Sequence, residues 1–220
     1  YLLPMLENAG AVALIPRERD YRIEESVVDN DSPNDSIHNG FYRETLSGLW
    51  KNSPQPGFAL GNPPYPANFN SFLQGTARYC LSDTTAATFA EWIPTIPRDG
   101  DYAVYISYQH SSQNVDDAHY TVHHTGGQTR FSINQQMGGN TWIYLGKFKF
   151  KAGRNPSIGK VSLSNLSRTP GRIVSADAVR FGGGMGTIIR GDSVSGYPRF
   201  AEGARYYLQY AGMPDTLIYN

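Results

Sequence analysis

The widest chemical range in this 220-residue chain belongs to its five histidines, His38, His110, His119, His123 and His124. A metal centre needs three or four convergent ligands. His123 and His124 adjoin in "AHYTVHHT", which reads as a strand, so their side chains leave opposite faces and cannot share one ion. His119 and His123 share a face, as do Tyr108 and His110 on a neighbouring strand; bonds to cross-strand neighbours or solvent account for them. His38 sits in the polar "SPNDSIHNG" and reads as a loop residue. No "GxSxG" elbow occurs, and "GDSVSG" lacks the strand–turn–helix setting of a nucleophilic serine. The glycine pairs of "TGGQT" and "MGGNT" lack the Gly-Lys-Ser/Thr ending of a phosphate loop, and read as hairpin turns. Glu91, Asp101, Asp116 and Asp117 are acidic but read as turn and rim residues. The lone Cys80, in "TARYCLSD", excludes an internal disulfide and reads as a small buried hydrophobe.

What remains is recognition by contact. Sugars are held by aromatic rings stacked on C–H faces, with amide and charged side chains bonding the hydroxyls. Residues of the right type are Trp142, Tyr108, Asn134, Gln135, Gln136, Asn140 and His123. The "NQQMGGN" turn, with an aromatic edge, is the expected groove. The same residues have a structural reading. Trp142, Tyr144, Phe148 and Phe150 alternate onto one face and could be sandwich core, as could Trp92.

These residues need a scaffold. Segments that read as strands follow one another from "ARYCL" through "ATFAEWI", "GDYAVYISYQ", "AHYTVHHT", "TRFSINQQ", "TWIYLGKFKF" and "GKVSLSNLS" to "RIVSADAVRF". Turn chemistry ("RDG", "GG", "GGN", "KAG", "TPG") separates them. In "DYAVYISY", Tyr102, Val104, Ile106 and Tyr108 share a face. The fold class is therefore mainly β, an antiparallel β-sandwich. The ends use a different grammar: "YLLPMLENAG" and "AVALIP" read as helix and buried strand, and "PRFAEGARYYLQYAG" as a helix. Short α/β flanks at residues 1–33 and 185–220 thus bracket a β module at 34–184. Charge is balanced, 19 basic against 19 acidic residues, with no basic cluster to hold nucleic acid. No apolar run is long enough to span a bilayer as a helix. The start, without methionine, reads as that of a mature or excised fragment.

From Trp92 to Gly184, "WIPTIPRDGDYAVYISYQ", "AHYTVHHTGG", "INQQMGGNTWIYLGKFKFKAG" and "IVSADAVRFGGG" resemble the golvesin C-terminal-like domain, also found attached to xanthan lyases. The resemblance implies a jelly-roll-like sandwich and a non-catalytic carbohydrate-binding or accessory role in a secreted or cell-envelope enzyme. By analogy with jelly-roll carbohydrate modules, Asp177 of "SADAVRF" is a candidate for structural calcium. As an alternative it accepts backbone N–H groups or pairs with Arg180 or Arg172. No other cofactor is expected. The flanks "LLPMLENAGAVALIPRERD" and "EGARYYLQYAG" resemble zinc-dependent N-acetylmuramoyl-L-alanine amidases, implying a host enzyme split around the insert, with zinc only in the complete host. The implied partners are glycan or peptidoglycan and the rest of that host, in an extracellular or periplasmic setting. Two alternatives stay open: a fragment of an amidase or polysaccharide lyase, and a structural spacer without a ligand.

Overall fold

The computed structural model describes residues 25–32, 40–59 and 70–182. The chain divides into two units, and Glu25–Phe181 forms one of them. His38 and the amidase-like segments before residue 25 and after 182 lie outside the described residues.

Twelve antiparallel strands build the described unit: β1 (Glu25–Asp29), β2 (Gly40–Glu44), β3 (Lys51–Gly57), β4 (Gly75–Leu81), β5 (Phe89–Pro94), β6 (Gly100–Ile106), β7 (Ala118–His124), β8 (Gly127–Ile133), β9 (Ile143–Phe150), β10 (Lys160–Ser164), β11 (Ile173–Ala176) and β12 (Ala178–Gly182). They form a four-stranded sheet β1-β12-β6-β9, a five-stranded sheet β2-β5-β10-β7-β8 and a three-stranded sheet β11-β4-β3. Nine of these strands cover the eight segments read as strands, the last of which splits in two. β1 lies in the stretch read as flank, yet it hydrogen-bonds to β12 inside the sandwich. β3 has no apolar alternation to reveal it. It carries Pro54 and Pro56, and it tolerates them because it is an edge strand.

The core follows from the period-2 pattern. Tyr102, Val104 and Ile106 of β6 are fully buried, as are Trp92, Val161, Val122 and Tyr120 of the facing sheet. Trp92 stacks near Tyr120 (centroids 6.4 Å) and its Nε1 donates to Asp177 O at 2.9 Å, tying two sheets together.

Asp177 is the joint of the fold. The run Ile173–Gly182 leaves the three-stranded sheet and enters the four-stranded one there. Its carbonyl also accepts from Asn30 N, and its carboxylate accepts from Phe58 N at 3.0 Å and Ser107 Oγ at 2.7 Å. The chain approaches so closely that a Cβ on Gly57 would lie 2.8 Å from Asp177 Oδ1 and 2.1 Å from Thr76 O, which is why glycine stands there. Of the two structural readings for Asp177, acceptance of backbone N–H is the one realised. Arg180 instead pairs with Glu25, and Arg172 Nη1 donates to Ser112 O.

One expectation fails by a single residue. The β6–β9 register shifts between Val104 and Tyr105, which face Gly146 and Tyr144, leaving Leu145 as the extra residue. A bulge of one residue turns every side chain beyond it to the other face. Phe148 and Phe150 point inward as expected, but Tyr144 stands opposite Tyr105 on the solvent side and is 51% exposed. The common face of Trp142, Tyr144, Phe148 and Phe150 does not exist.

Candidate functional site

The β8–β9 connection carries the residues expected to grip a ligand, and its geometry sorts them. Asn134 Oδ1 accepts from Gln136 N at 2.9 Å, a local turn bond, and Gln136 Nε2 donates to Asn114 O at 3.1 Å. Gln135 is fully buried: its Nε2 donates to Ser175 O and Tyr120 Oη, and its Oε1 accepts from Ser175 N. Tyr108 is 2% exposed and donates to Met137 O at 2.8 Å. Gln135 and Tyr108 therefore brace the turn from inside and offer no surface to a ligand, a correction that follows from their burial. His123 is elsewhere. It pairs with Gln128 beside the hairpin turn, at the far end of β7 from Ile133, and its Nε2 lies 3.2 Å from Ser162 Oγ. Burial, then the neighbouring Lys160, holds its imidazole below the usual range.

What converges at the rim is a smaller set. The 138–140 turn lies directly on segment 108–110: Asn140 N donates to Tyr108 O at 2.9 Å, and a Cβ on Gly139 would lie 2.8 Å from His110 N. Asn140 holds a left-handed φ of 60°, a conformation asparagine tolerates better than most residues. Its Oδ1 is buried without a hydrogen-bond partner. Gln109, on the adjoining segment, is 5% exposed, and neither its Oε1 nor its Nε2 has a partner. Beside this turn Trp142 is half-buried, packed on Phe58 (4.8 Å between centroids) and Phe72 (5.5 Å) over Val27 and Ala178. Sequence reasoning missed Gln109. The only available signal was its place one residue past Tyr108, at the mouth of a strand whose inward face was otherwise legible.

Elsewhere, chemistry is held in check. Glu91 bonds Lys160 and, at 2.5 Å, Arg43; burial alone would raise its carboxyl, but these cations hold it below the usual range. Asp116 pairs with Arg168, Asp117 accepts from Ser167 Oγ and Arg168 N, and Asp101 lies 3.8 Å from Lys147. Burial and then Glu44 push the Cys80 thiol up to about 12, far from a working nucleophile. Among the described residues, no group of three or more His, Cys, Asp or Glu could hold a metal ion.

Asp29 and Asp177 are buried acids without a basic partner among the described residues. Burial, then mutual repulsion with Asp177 and Asp31, lifts the Asp29 carboxyl to about 8; burial lifts Asp177 to about 6. At 6% and 0% exposure, neither is open to a substrate. A carboxyl raised in the folded state binds its proton more tightly there than in the unfolded chain. Its stabilisation is therefore complete below the ordinary value near 3.8 and is lost as pH rises through about 8. In metal-free buffer, stability is expected to fall from pH 5 to pH 8, and D29N to flatten that slope; urea denaturation across the range checks it. A melting temperature that rises with calcium at pH 8, and loses the rise in D29N, would contradict this and put a cation between the aspartates.

A family model described as the Golvesin C-terminal domain matches residues 67–183. A xanthan lyase of Bacillus sp. (strain GL1) is 34% identical over 99 residues, covering 44% of this chain and 10% of that protein. The structure of a Paenibacillus xanthan lyase superposes with a TM-score of 0.55 at 21% identity, covering 72% of this chain and 13% of that one. The C-terminal CBM6 of LamC, from Zobellia galactanivorans, matches with a TM-score of 0.42 at 11% identity, over 72% of this chain and 99% of that one. The chain thus spans about a tenth of the length of the curated relative it matches. With more than half its residues inside the matched region, the chain belongs to the Golvesin C-terminal domain family.

Proposed function

We propose that this domain is a non-catalytic carbohydrate-binding accessory module of an extracellular polysaccharide-degrading enzyme. The observation that carries the reading is the rim at 108–110 and 138–142. There the part-exposed side chain of Asn140 and the exposed His110 stand beside a half-buried tryptophan. Polar side chains at a surface turn with an aromatic edge fit hydroxyl-rich ligands. Glu91, Asp101, Asp116 and Asp117 are tied to basic side chains, and Asp29 and Asp177 are sealed inside, which supports contact rather than bond cleavage. Family membership supports the same reading, and the relatives named as xanthan lyases make xanthan the first polysaccharide to try. Peptidoglycan, and a host enzyme of amidase type, belong to this proposal as finer alternatives.

The test is affinity electrophoresis of the 220-residue chain through gels containing xanthan, neutral plant polysaccharides or solubilised peptidoglycan. Retardation in at least one gel is expected. N140A should weaken it about tenfold, the loss of one or two hydroxyl bonds. Asn140 is a turn residue outside the strands, so circular dichroism should be unchanged. Migration of N140A identical to the parent chain in every gel would remove the rim from the reading.

A further inference from the structure

The outer face of the five-stranded sheet carries a row that neither the core nor the rim uses. Register sets Arg43, Glu91, Ser162, Thr121 and Arg130 side by side across β2, β5, β10, β7 and β8, four strand spacings or about 19 Å from end to end. The neighbouring row holds the core residues Trp92, Val161 and Val122, so alternation turns this one outward. Its middle is engaged. Glu91 takes Lys160 and, at 2.5 Å, Arg43 Nε, and Ser162 Oγ lies 3.2 Å from His123 Nε2. Its ends are open. The Arg43 side chain is 48% exposed and bonds only through Nε. Arg130 is exposed, and among the described residues it has neither a carboxylate partner nor a hydrogen bond. The strands thus bring three cations to this face, Arg43, Lys160 and Arg130, against one carboxylate, Glu91, which the first two already share. At the margins Arg154 lies over the Phe41 ring, and Asp116 and Asp117, beside His119, are held by Arg168.

We propose that this face is a second glycan-binding surface, distinct from the rim, and that it takes a carboxylated polysaccharide, with Arg130 receiving a uronate carboxylate. The inference rests on the carbohydrate-binding reading above. A guanidinium presents two parallel N–H donors that match the two oxygens of a carboxylate, and such a charge-assisted pair is roughly twice as strong as a neutral hydrogen bond. Around Arg130 the exposed Gln128 and Ser132 on β8, and the part-exposed Thr121 opposite it on β7, supply bonds for the hydroxyls of the same sugar. At the far end of the row Arg43 keeps its Nη groups for a second carboxylate. Two open guanidinium groups about 19 Å apart suit a polymer that repeats its acid, not a single sugar. The excess of cations on the face draws such a chain in and fixes which polymer is preferred.

The experiment is affinity electrophoresis of the full chain in gels containing polygalacturonate, hydroxyethyl cellulose or dextran sulfate, each mobility taken relative to that protein's own in a polymer-free gel. Polygalacturonate is expected to retard the parent more than neutral hydroxyethyl cellulose does. R130Q should weaken association with polygalacturonate about tenfold, the scale of one lost charge-assisted bond. R130K, which keeps the charge but not the fork, should fall between the two. Arg130 makes no hydrogen bond among the described residues, so circular dichroism should match the parent. Parental migration of R130Q in polygalacturonate overturns the second surface and leaves the rim reading intact. A parent that binds neutral polymer as strongly as polygalacturonate, or binds only in the gels of the rim test, overturns the carboxylated class. Retardation by dextran sulfate that equals polygalacturonate and falls equally in R130Q shows attraction to any polyanion and overturns it as well. If no gel retards the parent in either test, the carbohydrate reading itself fails and this inference goes with it.

Discussion

Replacing Trp92 with alanine is expected to destabilise the domain by about 3–5 kcal/mol, the range for removing a fully buried aromatic ring. The side chain has no exposed surface; it packs on Tyr120 and on Tyr42, whose centroid is 5.5 Å away, and its Nε1 bonds the Asp177 carbonyl. Two losses combine. A large cavity opens between the sheets, and the strand break at Asp177 loses its tie to the facing sheet. A loss of that size is a large part of a domain's ordinary margin of about 5–15 kcal/mol. W92F should fall between the two, since it keeps most of the apolar contact and removes only the bond. Urea unfolding followed by circular dichroism measures all three proteins. A W92A cost below about 1 kcal/mol would contradict the role given to this residue.

The second large effect is expected at Gln135. Its side-chain amide works as a short substitute strand: it receives Ser175 N–H and donates to Ser175 C=O on the side of β11 that β4 does not occupy. The backbone beside it continues the same edge, because Val115 N donates to Ile173 O and Gln135 N to Val115 O. Q135L keeps the volume but strips both Ser175 groups of their partners and leaves the Tyr120 hydroxyl with one contact fewer. The expected cost is about 2–4 kcal/mol, from one or two buried polar groups left unsatisfied. Hydrogen exchange should show the Ser175 amide losing protection while β7 and β10 keep theirs. A stable Q135L with unchanged exchange at Ser175 would show that the amide is not part of the ladder.

These two residues also show how far the sequence could be read. Trp92 was legible as a core plug from its type and its place between Glu91 and "IPTIP" in a segment read as a strand, and β5 is buried along nearly its whole length. Gln135 was not. By type it belongs on the surface, and only the three-dimensional meeting with Ser175, forty positions away, makes it a buried bridge. Tyr144 escaped for a different reason: the alternation was read correctly, but an extra residue at Leu145 reverses the face, and no local signal other than the neighbouring Gly146 marks it. β3 was invisible because its prolines argue against a strand and only its edge position permits them. The ADAVRF segment announced something unusual at Asp177. Its actual role, joining two sheets through both its carbonyl and its carboxylate, depends on Phe58, Ser107, Asn30 and Trp92, which approach from four other places in the chain.

The rim itself was half legible. The "NQQMGGN" turn and Trp142 were identified by composition, and the turn holds one unpartnered buried atom, Asn140 Oδ1. Which amides reach the surface was beyond pattern reading: Gln135 and Gln109 are both buried, the first bonded to a backbone strand and the second not.

The account's central claim is that the domain acts by holding glycan, not by cutting it. Isothermal titration calorimetry of the 220-residue chain with polysaccharide reads both halves of that claim in one experiment. The predicted result is heat that saturates with added ligand and returns to baseline after each injection. A steady displaced baseline, the mark of continuing turnover, or no saturable heat with any polysaccharide offered, would contradict it.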